Sequence, residues 1–336
     1  MRVFILILGL LMGCPFQLEA GSRDASPLAF RNDGTFKIVQ FTDIHYKTPS
    51  LRSDSVLRMM RAVVAMEQPD LIVLTGDNVC SENTAKAWRN LADSLEATGL
   101  PWCVAFGNHD QEFELTKPQI VKILQTYQHN LTKEGPKELP GNSNYILSVA
   151  SSRGREKAAA LYFMDSHSSL NSKTMGTYDW LKAEQIAWYR KQSSALPALA
   201  FFHIPVPEYK ELVAAKQYIG ICQEPVCSPD VNTGMYAAML EQGNVMGLFT
   251  GHDHDNNFIG QLRGICLAYG QGTGKDTYGH IGQGARVILL YEGQRKFDTW
   301  IVKGYEPSGN AANDNVSVPL RTIFETRFQN GQLSEI

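Results

Sequence analysis

From residue 35 onward, short apolar runs alternate with longer segments whose apolar residues recur every three or four positions. TFKIVQFTDIH reads as a buried strand, and DSVLRMMRAVVAMEQ follows it with helical spacing. DLIVLTGD is a second strand, TAKAWRNLADSLEATG a helix closed by Gly99, and PWCVAFGNHD a third strand that runs into polar residues. This is the βαβ rhythm of a layered α/β domain. The second half continues with NSNYILSVA and AALYFMDS as strands, a helix around YDWLKAEQIAWYRKQ, the strand ALAFFHIP, a helix from about Asn232 to Gln242, and the strand VMGLFTGHDH. The last apolar runs, near GICLAYG, ARVILLYEG and FDTWIVKG, have no helices between them and are expected to pair antiparallel. The pattern sets off a leader over residues 1–20, one domain over 35–304, and a C-terminal extension over 305–336, whose structure the pattern leaves open.

Composition narrows the function classes. The chain has 336 residues, 43% of them hydrophobic, enough for a sizeable core. Its 31 Lys plus Arg nearly balance its 34 Asp plus Glu, and neither sign forms a long block, so binding driven by bulk charge is not expected. A nucleic-acid substrate is not favoured, because no basic stripe with interleaved aromatics appears. The N-terminus MRVFILILGLLMGC has one arginine before an apolar run too short to span a bilayer, which fits a secretory signal. Its end, LMGC, is similar to a bacterial lipobox with Cys14 as the lipidated residue, whereas LEA before Gly21 offers ordinary cleavage. Both endings stand, and either implies export: periplasmic, as an outer-membrane lipoprotein, or secreted. A membrane is expected as partner only through that lipid anchor, and the oligomeric state is left open.

Without Cys14, five cysteines remain: Cys80, Cys103, Cys222, Cys227 and Cys266. The close pair in CQEPVC is expected to allow a small disulfide loop in an oxidising compartment, whereas Cys103 and Cys266 sit in apolar runs as buried small hydrophobes.

The chemistry lies at the strand ends. FTDIH ends in Asp43 and His45, LTGDN in Asp77 and Asn78, FGNHD in Asn108, His109 and Asp110, FFHIP in His203, and FTGHDH in His252 and His254. One polar residue after a strand is ordinary turn chemistry. Five strand ends that each carry a metal-ligand type are not, because in α/β sheets the carboxyl ends gather at one edge where sites are built. Imidazole and carboxylate donors together suit Zn, Fe or Mn better than Ca or Mg, which prefer oxygen alone. Only His129, His167 and His280 fall outside these segments, and they are read as structural. Asp165, at the end of LYFMDS, fits either a turn or a supporting role. Asn144, Tyr145 and the loop from Gly270 to His280 are candidates for lining a mouth, although ordinary strand and turn roles fit them as well.

The set D-x-H, GD, GNH, H and GHxH, from about Lys37 to Lys303, resembles the calcineurin-like metallophosphoesterase family. VNTGMYAAML and YGQGTGKDTYGH look like the purple-acid-phosphatase-like branch that keeps D-x-H. The resemblance implies a four-layer α/β/β/α sandwich of two mixed β-sheets flanked by helices. It also implies two divalent or trivalent ions (Fe, Mn or Zn), the first held by Asp43, His45 and His254 and the second by Asn108, His203 and His252, with Asp77 between them. The implied activity is hydrolysis of phosphomonoesters by a metal-bridging hydroxide, with phosphodiesters as the alternative and a non-catalytic binding module as the outlying one. A small-molecule phosphate ester is the implied partner, and His109 resembles the family's non-ligand histidine, which protonates the leaving oxygen. One departure stands out: where purple enzymes carry a tyrosine ligand in GDxxY, this chain has Cys80, so their charge-transfer colour is not expected.

Overall fold

The computed structural model describes residues 28–304 and 320–336. The expected signal segment, with its alternative endings at a lipobox on Cys14 or a cleavage site before Gly21, lies outside the described residues.

The first half runs β1 (Thr35–Phe41), α1 (Leu51–Glu67), β2 (Leu71–Thr75), α2 (Thr84–Glu96), β3 (Trp102–Ala105), α3 (Lys117–Leu124), β4 (Tyr145–Ala150) and β5 (Lys157–Phe163). A short hairpin, β6 (Ser169–Ser172) and β7 (Gly176–Tyr178), leads to α4 (Ala183–Gln192), β8 (Ala198–Phe201), α5 (Tyr209–Ala215), α6 (Met235–Gln242) and β9 (Val245–Thr250). The chain closes with β10 (Ile259–Leu262), β11 (Ile265–Tyr269), β12 (Gly284–Tyr291), β13 (Lys296–Gly304), β14 (Leu320–Gln329) and β15 (Gln332–Glu335).

Two large sheets result, a seven-stranded one in the order β15-β14-β13-β12-β1-β2-β3 and a six-stranded one in the order β10-β11-β9-β8-β5-β4. Both are mixed. β1, β2 and β3 are parallel while β12 joins β1 antiparallel. In the other sheet β5, β8, β9 and β11 are parallel and the two edge strands run against them.

Residue alternation builds the layers. In β1, Phe36 and Ile38 face the second sheet while Val39 and Phe41 face the helices; Leu71 and Val73 against Ile72 and Leu74 repeat the division in β2. Helix α2 meets the outer face with Ala87, Trp88, Leu91, Ala92 and Leu95, a single apolar stripe. On the far side, α4, α5 and α6 cover the six-stranded sheet with Ile186, Tyr189, Tyr209, Leu212 and Met239. The architecture is therefore the four-layer α/β/β/α sandwich. Between the sheets Tyr145, Phe163, Phe201 and Phe249 stack in sequence at centroid spacings of 4.7, 5.1 and 5.5 Å. Phe297 and Phe328 continue the row, each pair contributing about 0.5–1.5 kcal/mol beyond its buried area.

Two expectations change. GICLAYG, expected to pair antiparallel with its neighbours, pairs antiparallel with β10 but parallel with β9. The cause is the unforeseen strand β10: the chain runs out along it and returns through Arg263 and Gly264, at φ of 44° and 89°, so β11 lands beside β9 in the same direction. The disulfide between Cys222 and Cys227 is not formed, and both cysteines are free. The backbone between them is tied down instead, with Gln223 N and Glu224 N donating to Asn256 Oδ1 and Cys227 N to Asp253 Oδ2. Residues after 304 also enter the sheet, β14 pairing with β13 from Gly304↔Leu320 to Lys296↔Gln329. Cys103 and Cys266 are fully buried, as their apolar runs imply.

Candidate metal centre at the strand ends

Backbone bonds between successive loops place the ligand types. Asp43 N donates to Gly76 O at 3.0 Å and His45 N to Asp77 O at 2.8 Å, which ties the loop after β1 to the loop after β2. Gly251 N donates to His203 O, joining the ends of β8 and β9. Immediately past their strands the chains reverse: Asp43, His45, Asp77 and His252 all have positive φ, at 53°, 44°, 50° and 84°. Asp and His are among the few non-glycine residues that enter this region readily, so the reversals can carry ligand side chains. Two glycines permit the closeness. A Cβ on Gly107 would sit 2.2 Å from Asp77 Oδ1, and one on Gly251 would sit 1.9 Å from Thr42 Oγ1 and 2.6 Å from Asp43 Oδ2.

The ligand types gather into two buried groups. Asp43, His45 and His254 present donor atoms within 4.8 Å of one another, and Asp77, His203 and His252 do the same. Asp77 Oδ2 connects the groups, lying 3.0 Å from His203 Nε2 and 3.7 Å from His45 Nε2. Asp43 Oδ1 lies 3.3 Å from His254 Nε2 and 3.9 Å from His203 Nε2.

What these atoms do not do is informative. His45 Nε2, His203 Nε2, His252 Nε2 and Asn108 Oδ1 are buried without a hydrogen-bond partner. His203 Nε2 and Asp77 Oδ2 are within ion-pair distance, yet they do not meet along a hydrogen-bond direction, as expected of donors aimed at a common point. A buried, unpartnered polar atom costs about 1–3 kcal/mol, so three bare imidazole nitrogens within the two groups fit a site built for a cation. The opposite ring nitrogens are anchored: His203 Nδ1 donates to Thr75 O at 2.9 Å and His254 Nδ1 to Tyr278 O at 2.9 Å, which leaves Nε2 facing the carboxylates. The carboxylates are steadied by backbone, Asp77 Oδ1 accepting from His109 N at 2.8 Å and Asp43 from His252 N at 3.1 Å.

Facing carboxylates and imidazoles set one another's charge here. Burial alone would raise Asp43, but His254 and His203 bring it down to about 2. Asp77 is likewise held well below the ordinary range against its burial, chiefly by His203. Burial would lower His203 and His254, yet the facing carboxylates raise each to about 9. His45 and His252, where burial dominates, fall to about 4 and about 3.

The remaining candidates separate. His109 is two-fifths exposed, its ring 5.4 Å from that of His45, and its Nδ1 lies 3.0 Å from Glu112 Oε2. Cys80 joins neither carboxylate group and donates to the same Glu112 oxygen at 3.4 Å. Asp110 caps the loops, accepting from Gly107 N, Asn78 N and Val79 N. His129, His167 and His280 pair with Glu96, Gln185 and Asp255 and belong to neither group. Asp165 is buried against Lys117 at 2.8 Å. Tyr145 takes the ordinary strand role and not the mouth, since alternation along β4 turns it inward onto Phe163 in the inter-sheet core. Asn144 is also buried, its side chain bonded to Gln185 and Pro140. The loop from Gly270 to His280 does reach the site, with Tyr278 stacked on His254 at 4.0 Å. Tyr178 on the β7 hairpin meets His252 edge-on at 4.5 Å. Tyr278 belongs to the loop the sequence singles out, whereas Tyr178 and Glu112 carry no local sequence signal.

The family model for calcineurin-like phosphoesterases matches residues 36–256. A protein of Arabidopsis thaliana called probable inactive purple acid phosphatase 29 is 32% identical across 89% of this chain and 87% of its own. Phosphatase DCR2 of Saccharomyces cerevisiae is 29% identical across 82% of this chain and 55% of its own. A dimetal phosphatase from Danio rerio has the same fold, with a TM-score of 0.56 across 79% of this chain and 95% of its own at 14% identity. With the family model running from β1 through the HDHD loop, and relatives of the purple-acid-phosphatase-like kind aligned over most of their length, the chain belongs to the calcineurin-like phosphoesterase family.

Proposed function

We propose that the chain hydrolyses phosphomonoesters of small molecules with the help of two metal ions. The observation that carries this reading is the set of unpartnered ring nitrogens on His45, His203 and His252, gathered around Asp43 and Asp77. Asp43, His45 and His254 would hold one ion, Asn108, His203 and His252 the other, and Asp77 would contact both; the donor set suits Fe, Mn or Zn. When bound, such ions supply a lowered water pKa and neutralise charge on the phosphate oxygens. The chain's own groups do the rest. His109 supplies a proton to the leaving oxygen from Nε2, while Glu112 holds Nδ1. Its backbone N–H fixes Asp77 at the same time. Tyr178 and Tyr278 wall the site beside His252 and His254 and limit water.

A second reading, a non-catalytic binding module, is favoured by the word inactive in the Arabidopsis relative's name. Hydrolysis of p-nitrophenyl phosphate beside bis-p-nitrophenyl phosphate, with Mn, Zn or Fe added and His252→Ala as control, separates the readings. Monoester turnover that vanishes in His252→Ala supports the proposal; faster diester turnover makes the chain a phosphodiesterase. Two bound ions with neither substrate cleaved favours the binding module.

A further inference from the structure

Outside the two carboxylate-centred groups, one more cluster of metal-ligating atoms stands among the described residues: Cys80, His109 and Glu112, with donor atoms within 4.8 Å of one another. Glu112 Oε2 is its hub, 3.0 Å from His109 Nδ1 and 3.4 Å from Cys80 Sγ. A tetrahedral zinc ion has bonds of about 2.0–2.1 Å to nitrogen and oxygen and about 2.3 Å to sulfur. The tetrahedral angle then separates its donors by about 3.3 Å for N and O and about 3.6 Å for S and O. The observed spacings fall short of these by only about 0.3 and 0.2 Å, a rotamer adjustment.

The chemistry and access agree with the spacing. Thiol, imidazole and carboxylate form a softer donor set than either carboxylate-centred group, which contains no sulfur, and thiolate selects Zn or Cd over Mg, Ca or Mn. His109 and Glu112 are 40% and 46% exposed, so an ion enters from solvent without disturbing the buried pair.

We infer that Cys80, His109 and Glu112 form a third site, for a thiophilic divalent cation of the zinc class. Bonds form from Sγ, Nδ1 and Oε2 to the cation, the Cys80 thiol proton leaves to solvent, and His109 binds through an unprotonated Nδ1. The site stands whether or not His109 acts in the proposed reaction.

The test uses the full chain with Cys14, Cys222 and Cys227 replaced by serine and Mn supplied to the paired groups. Cadmium ion alone is the probe, read by thiolate-to-metal charge-transfer absorption in the ultraviolet, a signal the sulfur-free groups do not give. One equivalent per chain should saturate the band. Cys80→Ser should abolish it, Glu112→Gln should weaken binding at least tenfold, and His252→Ala should leave it in place; circular dichroism verifies the fold of each variant. A missing band, or one that survives Cys80→Ser in a folded protein, overturns the site. A parent inactive with every metal fails the functional proposal alone, since the absorption measurement still decides the site.

Discussion

Replacing Lys117 by Met tests how the loops behind the site are held. Lys117 opens α3, and its ammonium lies 2.8 Å from Asp165 Oδ1, with both residues about 1% exposed. The carboxylate also accepts from His167 N at 2.9 Å and Asn142 N at 2.8 Å, so it ties the end of β5 to the segment before β4. Removing one partner of a buried pair costs about 3–5 kcal/mol, because the other charge is left uncompensated. Two backbone donors remain on Asp165, which places Lys117→Met near the lower end, about 3 kcal/mol. Asp165→Asn should cost a similar amount, since its amide nitrogen would meet a backbone donor. The double variant buries no charge and should cost about 2–3 kcal/mol less than the two singles together. Urea unfolding of the four proteins, read at constant m, measures this. Additivity within about 0.5 kcal/mol, or a Lys117→Met cost below about 1 kcal/mol, would refute the reasoning. The acid limb gives an independent check. Burial would raise Asp165, but Lys117 outweighs it and holds the group below its usual value. The pair's contribution is therefore present above a pH of about 4 and is lost as pH falls through the lower folded-state value. Lys117→Met should lose stability less steeply across that interval.

Three further outcomes follow from the site. Ions at 100 times their dissociation constant should add about 2.7 kcal/mol each to stability, so calorimetry with Mn or Zn should show a raised Tm that a chelator reverses; a Tm indifferent to metal counts against the centre. Gly107→Ala drives a methyl group against Asp77 and should cost about 1–3 kcal/mol, with reduced metal content by elemental analysis; full metal content would show the loop yields freely. His109→Ala should keep its metal while turnover falls about 10²–10⁴-fold, and unchanged turnover would remove the residue from the chemistry.

Much of the fold is legible because apolar period and strand-end polarity are local signals. Strands β1, β2, β3, β8 and β9 are each an apolar run that stops at a ligand type, and ligands are recognisable by chemistry before their positions are known. Pairing is not local. LRTIFETRFQ becomes β14 by meeting β13 across a long connection, and GICLAYG takes its direction from the intervening β10. Tyr145 was open to a role at the mouth because the sequence shows alternation but not which face is inward. Cys222 and Cys227 are close in the chain, yet Asn256 and Asp253 decide their geometry. Glu112 and Tyr178 lie in segments without a chemical signature, and only three-dimensional contact reveals them.

The left-handed backbone at Asp43, His45, Asp77 and His252 also constrains how such a protein changes over generations. Asn, Asp, His and Gly enter that region at little cost, while β-branched and bulky residues do not. Substitutions that preserve the turn are thus drawn from residues that either still bind a cation weakly or have no side chain. A descendant that abandons catalysis but keeps its shape should show Asn or Gly at these four positions rather than apolar replacements. Decay of activity would leave a readable mark at the turns long before the sandwich itself gave way.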